Sequence, residues 1–279
     1  MHFGIYAPNF GEFADPRVLA DLARAADAAG WEGFFIWDHM LWHWPDHQPM
    51  ADPAVALAAM AAATERIRLG ALVTPIARRR PWKLAREAVT LDHLSGGRLV
   101  QGVGIGGDWF GDYSGFGEPP DDRTHAEMLD EGLTILDGLW RGAPFSYAGR
   151  HYQIKDVTFL PPPVQQPRIP IWVAGNWPNK APFRRAARWD GVFPLARDGE
   201  LTPADFRDLL AYMAPYRTSG APFDVVYRGN TVGVSAAADR AIIAPYAEAG
   251  VTWWLESCPP EAGALAAART RIAHGPPHL

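Results

Sequence analysis

Short apolar runs and helix-patterned segments alternate along this chain, and that alternation constrains its fold more than any other feature. Runs beginning at positions 3, 34, 67, 98, 169, 191, 224 and 251 read as strands, eight in all. The stretches between them carry helix-start signals: Asp15-Pro16, Asp52-Pro53, Thr202-Pro203 and Ser235. Strict alternation predicts a parallel sheet with right-handed crossovers. Eight βα units within 279 residues fit one α/β domain, a (β/α)8 TIM barrel over 1–279. An open doubly wound sheet of eight strands is the alternative. The pattern pauses at about 106–122, which is rich in Gly and Pro, and again at about 142–168. Both read as insertions, the second with a short β excursion near 151–159.

Composition narrows the class. A net charge of −5 gives no basic face for nucleic acid. No run of 18 apolar residues appears, so no membrane span is expected. The first strand starts at residue 3, which leaves no room for a signal peptide. The single cysteine, Cys258, excludes an intrachain disulfide, and a cytoplasmic location is expected. Several of the 12 tryptophans fall in loops, where they suit a flat-ligand pocket.

The stretch 34–39 reads as a strand buried on both faces, Phe34 to Trp37, yet it ends in Asp38-His39. Trp42 and Trp44 follow, and Pro45 closes the turn. In parallel barrels the C-terminal strand ends carry the chemistry. His39 is therefore the candidate catalytic residue, since imidazole moves protons near neutral pH. The bland reading is a histidine capping a strand end. His39, His43 and His47 share an i, i+4, i+8 spacing, but Pro45 breaks any helix through them, and no metal is expected.

Gly102-Val103-Gly104-Ile105-Gly106-Gly107 satisfies GxGxxG after a strand. No helix opens behind it and no acidic strand end follows, so a nicotinamide reading fails. The glycines instead let something flat approach, unless they only make a turn. Gly175-Asn176 and the segment Pro194, Leu195 to Arg197 follow strands and are candidate phosphate loops. Arg78-Arg79-Arg80 reads as a solvated helix entrance on the catalytic rim.

The segments "GWEGFFIWDHM", "IRLGALVTPIARRRPWKLAREAVTLDHLSGGRLVQGVG", "EMLDEGLTILDGLW" and "PIWVAGNWPNKAPFRRAARWDGVFP" together resemble the bacterial luciferase-like superfamily. The resemblance spans nearly the whole chain and implies a barrel with insertions at its C-terminal face. The Asp-His pair ending the second strand is similar to the branch that uses coenzyme F420, a deazaflavin. That resemblance implies His39 facing the ring beside the substrate, with Asp38 a cofactor contact. It also implies a non-prolyl cis peptide at Ala71-Leu72, so Ala71, Leu72, Val73 and Thr74 would back the ring. Gly104, Gly106, Gly175, Asn176, Pro194, Leu195 and Arg197 complete the implied cofactor contacts. Trp42, Trp44, Trp109 and Trp177 would wall the substrate pocket.

Sugar-phosphate dehydrogenases of this branch carry a Glu where Gly107 stands, which argues against a sugar phosphate and for an apolar or aromatic small molecule. The expected activity is hydride transfer at C5 of F420. The rivals are an FMN-dependent two-component monooxygenase, which would need a flavin reductase, and a non-catalytic flavin-binding protein. A homodimer is the expected assembly.

Overall fold

The computed structural model describes residues 1–43, 46–231, 233 and 235–277. Strands β1 (His2–Ala7), β2 (Gly33–Ile36), β3 (Arg68–Ala71), β4 (Thr74–Pro75) and β5 (Gln101–Gly104) come first. An antiparallel pair follows, β6 (Phe145–Ala148) and β7 (Gln153–Val157). Strands β8 (Ile171–Trp177), β9 (Gly191–Ala196), β10 (Asp224–Gly229) and β11 (Trp253–Ser257) complete the set. The helices are α1 (Pro16–Ala28), α2 (Pro53–Ala63), α3 (Pro81–Ser95), α4 (Asp122–Trp140), α5 (Lys180–Ala186), α6 (Pro203–Met213), α7 (Ala236–Glu248) and α8 (Ala264–Ala273). No helix among the described residues is long and apolar enough to cross a membrane.

The main sheet is parallel and runs β3-β2-β1-β11-β10-β9-β8-β5-β4. Its two ends, β3 and β4, are halves of one strand interrupted at Leu72-Val73. The order therefore returns to its start, and a bridge between Leu69 and Leu99 closes the ring. Eight strand positions with helices outside them make a (β/α)8 barrel, as the alternation predicts.

Side chains alternate across each strand. Phe35, Leu72, Val100, Trp172, Val226 and Trp253 fill the barrel interior. Their neighbours Phe34, Ile36, Ala71, Val173 and Val225 face the helices in the larger outer core. The caps read from sequence are in place: Asp15, Asp52, Thr202 and Ser235 each accept a backbone N–H in the first turn of their helix. Helix α6 stops at Met213 rather than near 217, because Pro215 lacks the N–H a further turn needs and the chain tightens to a 3-10 turn.

Of the two insertions expected over the mouth, 106–122 supplies residues that line the cavity and 142–168 supplies none. The β6–β7 pair runs along α4, where the Glu131 carboxylate accepts from the amides of Arg150 at 2.7 Å and Tyr152 at 3.1 Å. The segment after it is tied to α3, with Asp92 accepting from the amides of Val164 and Gln165.

The barrel closes tightly on its own backbone at Gly102, where a Cβ would overlap the Ala71 carbonyl oxygen. Backbone cannot give way as a side chain can, so Gly102→Ala is expected to cost ~1–3 kcal/mol. A thermal melt lowered by several degrees would agree. A melt unchanged from wild type would show that the strands part more easily than this packing allows.

Candidate active site

Strand β2 ends at Ile36, three residues before the end of the stretch 34–39 that reads as a strand. The ladder to β1 reaches Ala7 and Ile36, and the Trp37 amide donates to the Ala7 carbonyl at 3.0 Å. Beyond that point the chain leaves the sheet, and side chains from other segments hold it. Asn9, fully buried after β1, donates to the His39 carbonyl at 3.2 Å and to the Ala51 carbonyl at 2.8 Å. Its Oδ1 accepts from the His39 amide at 3.4 Å.

Asp38 and His39 are joined by a buried ion network. Arg78 Nη2 donates to Asp38 Oδ1 at 2.7 Å, and Arg79 Nη2 donates to the same oxygen at 2.9 Å. Arg78 Nη1 donates to Asp112 Oδ1 at 2.8 Å. Asp112 Oδ1 also accepts from the amides of Met40 at 2.8 Å and Leu41 at 3.2 Å. The other oxygen, Oδ2, lies 3.3 Å from His39 Nδ1. The Asp112 side chain is 1% exposed and the Arg78 side chain 7%. Burial pushes the Asp112 carboxyl up, but the bonds from His39 and Met40 and the Arg78 charge outweigh it and hold the group below its ordinary range. Asp112 is therefore ionised, and a carboxylate accepts only from a protonated nitrogen. That places a proton on His39 Nδ1 and leaves Nε2 outside the ion network.

Arg78 and Arg79 are thus working counter-ions rather than a solvated entrance, as the run of three arginines suggested; only Arg80 is exposed. Asp112 was not singled out from sequence. A lone acid in a glycine-rich loop carries no local pattern. The available signal was indirect: three adjacent arginines beside a buried Asp38 call for a second acid.

A cavity of about 670 Å³ opens at the C-terminal ends of the strands, within the range of small-molecule sites. His39, Asp38, Leu72, Val73, Gly104, Gly106, Gly175, Asn176 and Leu195 all line it, as do Trp42 and Trp109. The aromatic wall is continuous: Trp42 stacks on Phe10 at 4.4 Å and lies 4.5 Å from Phe110, with the His39 ring 5.4 Å away edge-on. Trp37 joins it at 5.8 Å from Trp42.

Several expected positions are placed elsewhere. The non-prolyl cis peptide joins Leu72 and Val73, one residue later than expected. The Leu72 amide still donates to the Ile36 carbonyl at 2.8 Å, so the ladder holds the preceding peptide in the sheet. Ala71 faces the outer core, and the Thr74 hydroxyl accepts from Gln101 Nε2 at 3.1 Å; neither lines the cavity. Trp177 packs outward against Phe183 at 5.3 Å, with Lys180 Nζ 3.7 Å above its ring. Strand β8 runs on to Trp177, and its period of two turns that ring away from the mouth. On β9 the same period places Phe193 and Leu195 inside and Pro194 outside, while Arg197 is exposed past the strand end. Trp44 lies outside the described residues.

Fold and cavity together define a (β/α)8 barrel with a small-molecule site at its C-terminal mouth. The luciferase-like monooxygenase family model matches residues 1–274, and the chain belongs to that family. It is 33% identical over 181 residues to a protein of Microbacterium testaceum named F420-dependent glucose-6-phosphate dehydrogenase, covering 64% of this chain and 52% of that one. The chain thus spans about half the length of the curated relatives it matches. Among solved structures, the coenzyme F420-dependent tetrahydromethanopterin reductase of Methanopyrus kandleri aligns with TM-score 0.76 at 18% identity, over 98% of this chain and 96% of that one. The FMN-bound oxygenating constituent of 3,6-diketocamphane monooxygenase, from Pseudomonas putida, aligns with TM-score 0.65 at 18% identity, over 87% and 71%. These two likenesses are of fold.

Asp112→Ala leaves Arg78 Nη1 and two backbone amides without their acceptor, and is expected to destabilise the protein by ~3–5 kcal/mol. Because the native Asp112 pKa is lowered, its contribution is present above about pH 4 and is lost as pH falls through the native value. Urea melts of wild type and variant across the acid range check both statements. An acid-side loss just as steep in the variant would assign that loss to other groups.

Proposed function

We propose that this chain is a deazaflavin (coenzyme F420)-dependent oxidoreductase acting on a small apolar or aromatic organic substrate. The observation that carries the reading is a cavity with a glycine-rich wall that also holds an imidazole tied through Nδ1 to Asp112. Gly104, Gly106 and Gly107 form that wall beside Leu72 and Val73. A Cβ at Gly104 would stand 2.8 Å from Val73 Cγ2, and one at Gly106 would stand 2.7 Å from the Tyr113 hydroxyl. Gly106 also has φ +75, where other residues are strained. Packing within the chain accounts for these glycines, and the backbone they leave along the cavity suits a flat ring.

Leu72, Val73, Gly104 and Gly106 would hold the ring, and Gly175, Asn176 and Asn179 line the same side, suited to the phosphate-bearing tail. When bound, the deazaflavin supplies hydride donation or acceptance at C5. Asp112 keeps the His39 proton on Nδ1, so Nε2 takes the hydroxyl proton as an alcohol is oxidised and returns it as a carbonyl is reduced. The aromatic wall of Trp37, Trp42 and Phe110 excludes water from that exchange.

Asp108 does not supply the carboxylate missing at Gly107. Its Oδ1 accepts from the amides of Tyr113 at 2.7 Å and Ser114 at 3.0 Å, which commits it to holding the turn. A sugar phosphate is correspondingly disfavoured as substrate. The names of the 33%-identical relatives favour F420, and the fold likeness to an FMN-bound oxygenase makes FMN the alternative.

Replacing His39 with Ala is expected to leave F420 affinity, read by tryptophan quenching, near wild type. Turnover across a panel of alcohols and carbonyls, read from coenzyme absorbance, is expected to fall ~10²–10⁴-fold. Undiminished turnover would remove His39 from the chemistry, and preferential quenching by FMN would favour the oxygenase reading.

A further inference from the structure

Three arginines line the cavity: Arg78, Arg185 and Arg228. Two of them are neutralised within the protein. Arg78 is bound by Asp38 and Asp112, and Arg185 Nε donates to Asp130 Oδ1 at 2.7 Å. Arg228 has no carboxylate partner among the described residues.

Its position follows from the alternation of β10. Asp224 faces inward at the foot of the strand, where it accepts from the indoles of Trp172 and Trp253, each at 3.1 Å. Val226 lies two residues on, in the interior core. Arg228 is the next inward residue, half-buried at the level of the cavity. A guanidinium there cannot be neutralised by losing its proton, and a part-buried charge is expensive without a partner.

The groups around it are already committed. Tyr6, across the cavity floor, donates its hydroxyl to the Leu72 carbonyl at 2.7 Å. Burial pushes that phenol well above its ordinary pKa, against the pull of the Arg228 charge, so it is neutral and no counter-ion. Asp38 and Asp112 belong to Arg78, and Asp108 to two backbone amides. Asp122 sits in the first turn of α4, whose positive end it complements.

We propose that Arg228 receives an anionic group of the substrate, and that this group is a carboxylate on an aromatic or apolar body. The assignment to substrate rests on the deazaflavin reading: the glycine-rich wall belongs to the third, fourth and fifth strand positions, whereas Arg228 stands on the seventh. Only one unpaired arginine lines the cavity among the described residues. A single guanidinium fork matches the two oxygens of a monoanionic carboxylate. The carbon body of such a molecule would lie against Trp37 and Trp42.

Benzoate and its neutral isostere benzamide test this, titrated by calorimetry into wild type, Arg228→Met and Arg228→Lys, each with and without saturating F420. Wild type is expected to prefer benzoate by ~10–100-fold, and Arg228→Met to abolish that preference while leaving benzamide and F420 affinity little changed. Methionine keeps an apolar stem, and the lysine variant, expected to retain part of the preference, controls for misfolding. The proposal is overturned if wild type binds benzoate no better than benzamide, or if Arg228→Met keeps the preference. It is equally overturned if that variant loses F420 affinity alone, which would assign the arginine to the coenzyme. Failure of wild type to bind F420, with a benzoate preference that still depends on Arg228, would retire the deazaflavin reading and leave the anion site standing.

Discussion

The mouth of this barrel is held by one carboxylate. Asp112 gathers the guanidinium of Arg78, the amides of Met40 and Leu41 and the imidazole of His39 around two oxygens. Arg78 in turn grips both the carbonyl and the carboxylate of Asp38. Three stretches distant in sequence, 38–41, 78–79 and the loop at 112, are thereby fixed to one another without a sheet ladder between them. A buried ion pair adds little net stability, because desolvation offsets most of the Coulomb gain. Its effect is on position: Asp112 and Arg78 each bind groups from two other segments, and few other arrangements of these segments satisfy the same groups. The direction in which His39 presents its second nitrogen follows from that.

The cavity beside this network is lopsided, and the lopsidedness has a backbone origin. Around the third to fifth strand positions the lining is richest in glycine, with Gly104, Gly106 and Gly175 set among Leu72, Val73, Ile105 and Asn176. A Cβ at Gly175 would overlap Pro182 of α5, and one at Gly106, which also has a positive φ, would crowd Tyr113 and Pro75, so packing within the chain accounts for both. Around the remaining strands the walls are side chains: Tyr6, Trp37, Phe193, Leu195 and Arg228. A flat cofactor and a shaped substrate need these two kinds of surface, and the barrel supplies each from a different arc of its circumference.

The barrel was legible in the sequence because its signals are local. A period of two, a period of 3.6 and a cap-plus-proline start each fall within about a dozen residues, and Asp15, Asp52, Thr202 and Ser235 do what their spacing implied. The place of His39 at the cavity was legible for a related reason: a charged pair at the end of a wholly apolar run contradicts its surroundings. Asp112 and the role of Arg78 were not legible, since each depends on partners 34 residues or more away along the chain. Trp177 was misplaced for a subtler reason. The strand that holds it continues past Gly175, and one further alternation decides between cavity and core. Arg228 carries no local pattern either; the lack of a carboxylate partner among the described residues is what makes it unusual.

The account turns on where a deazaflavin ring lies in this cavity, and a crystal structure with F420 bound reads that directly. The expected result is a ring against Leu72-Val73 and Gly104, with His39 Nε2 and Arg228 both left facing the space beside it. A ring stacked instead on the Tyr6 and Arg228 side, or a cavity that stays free of the coenzyme at saturating concentration, would contradict it.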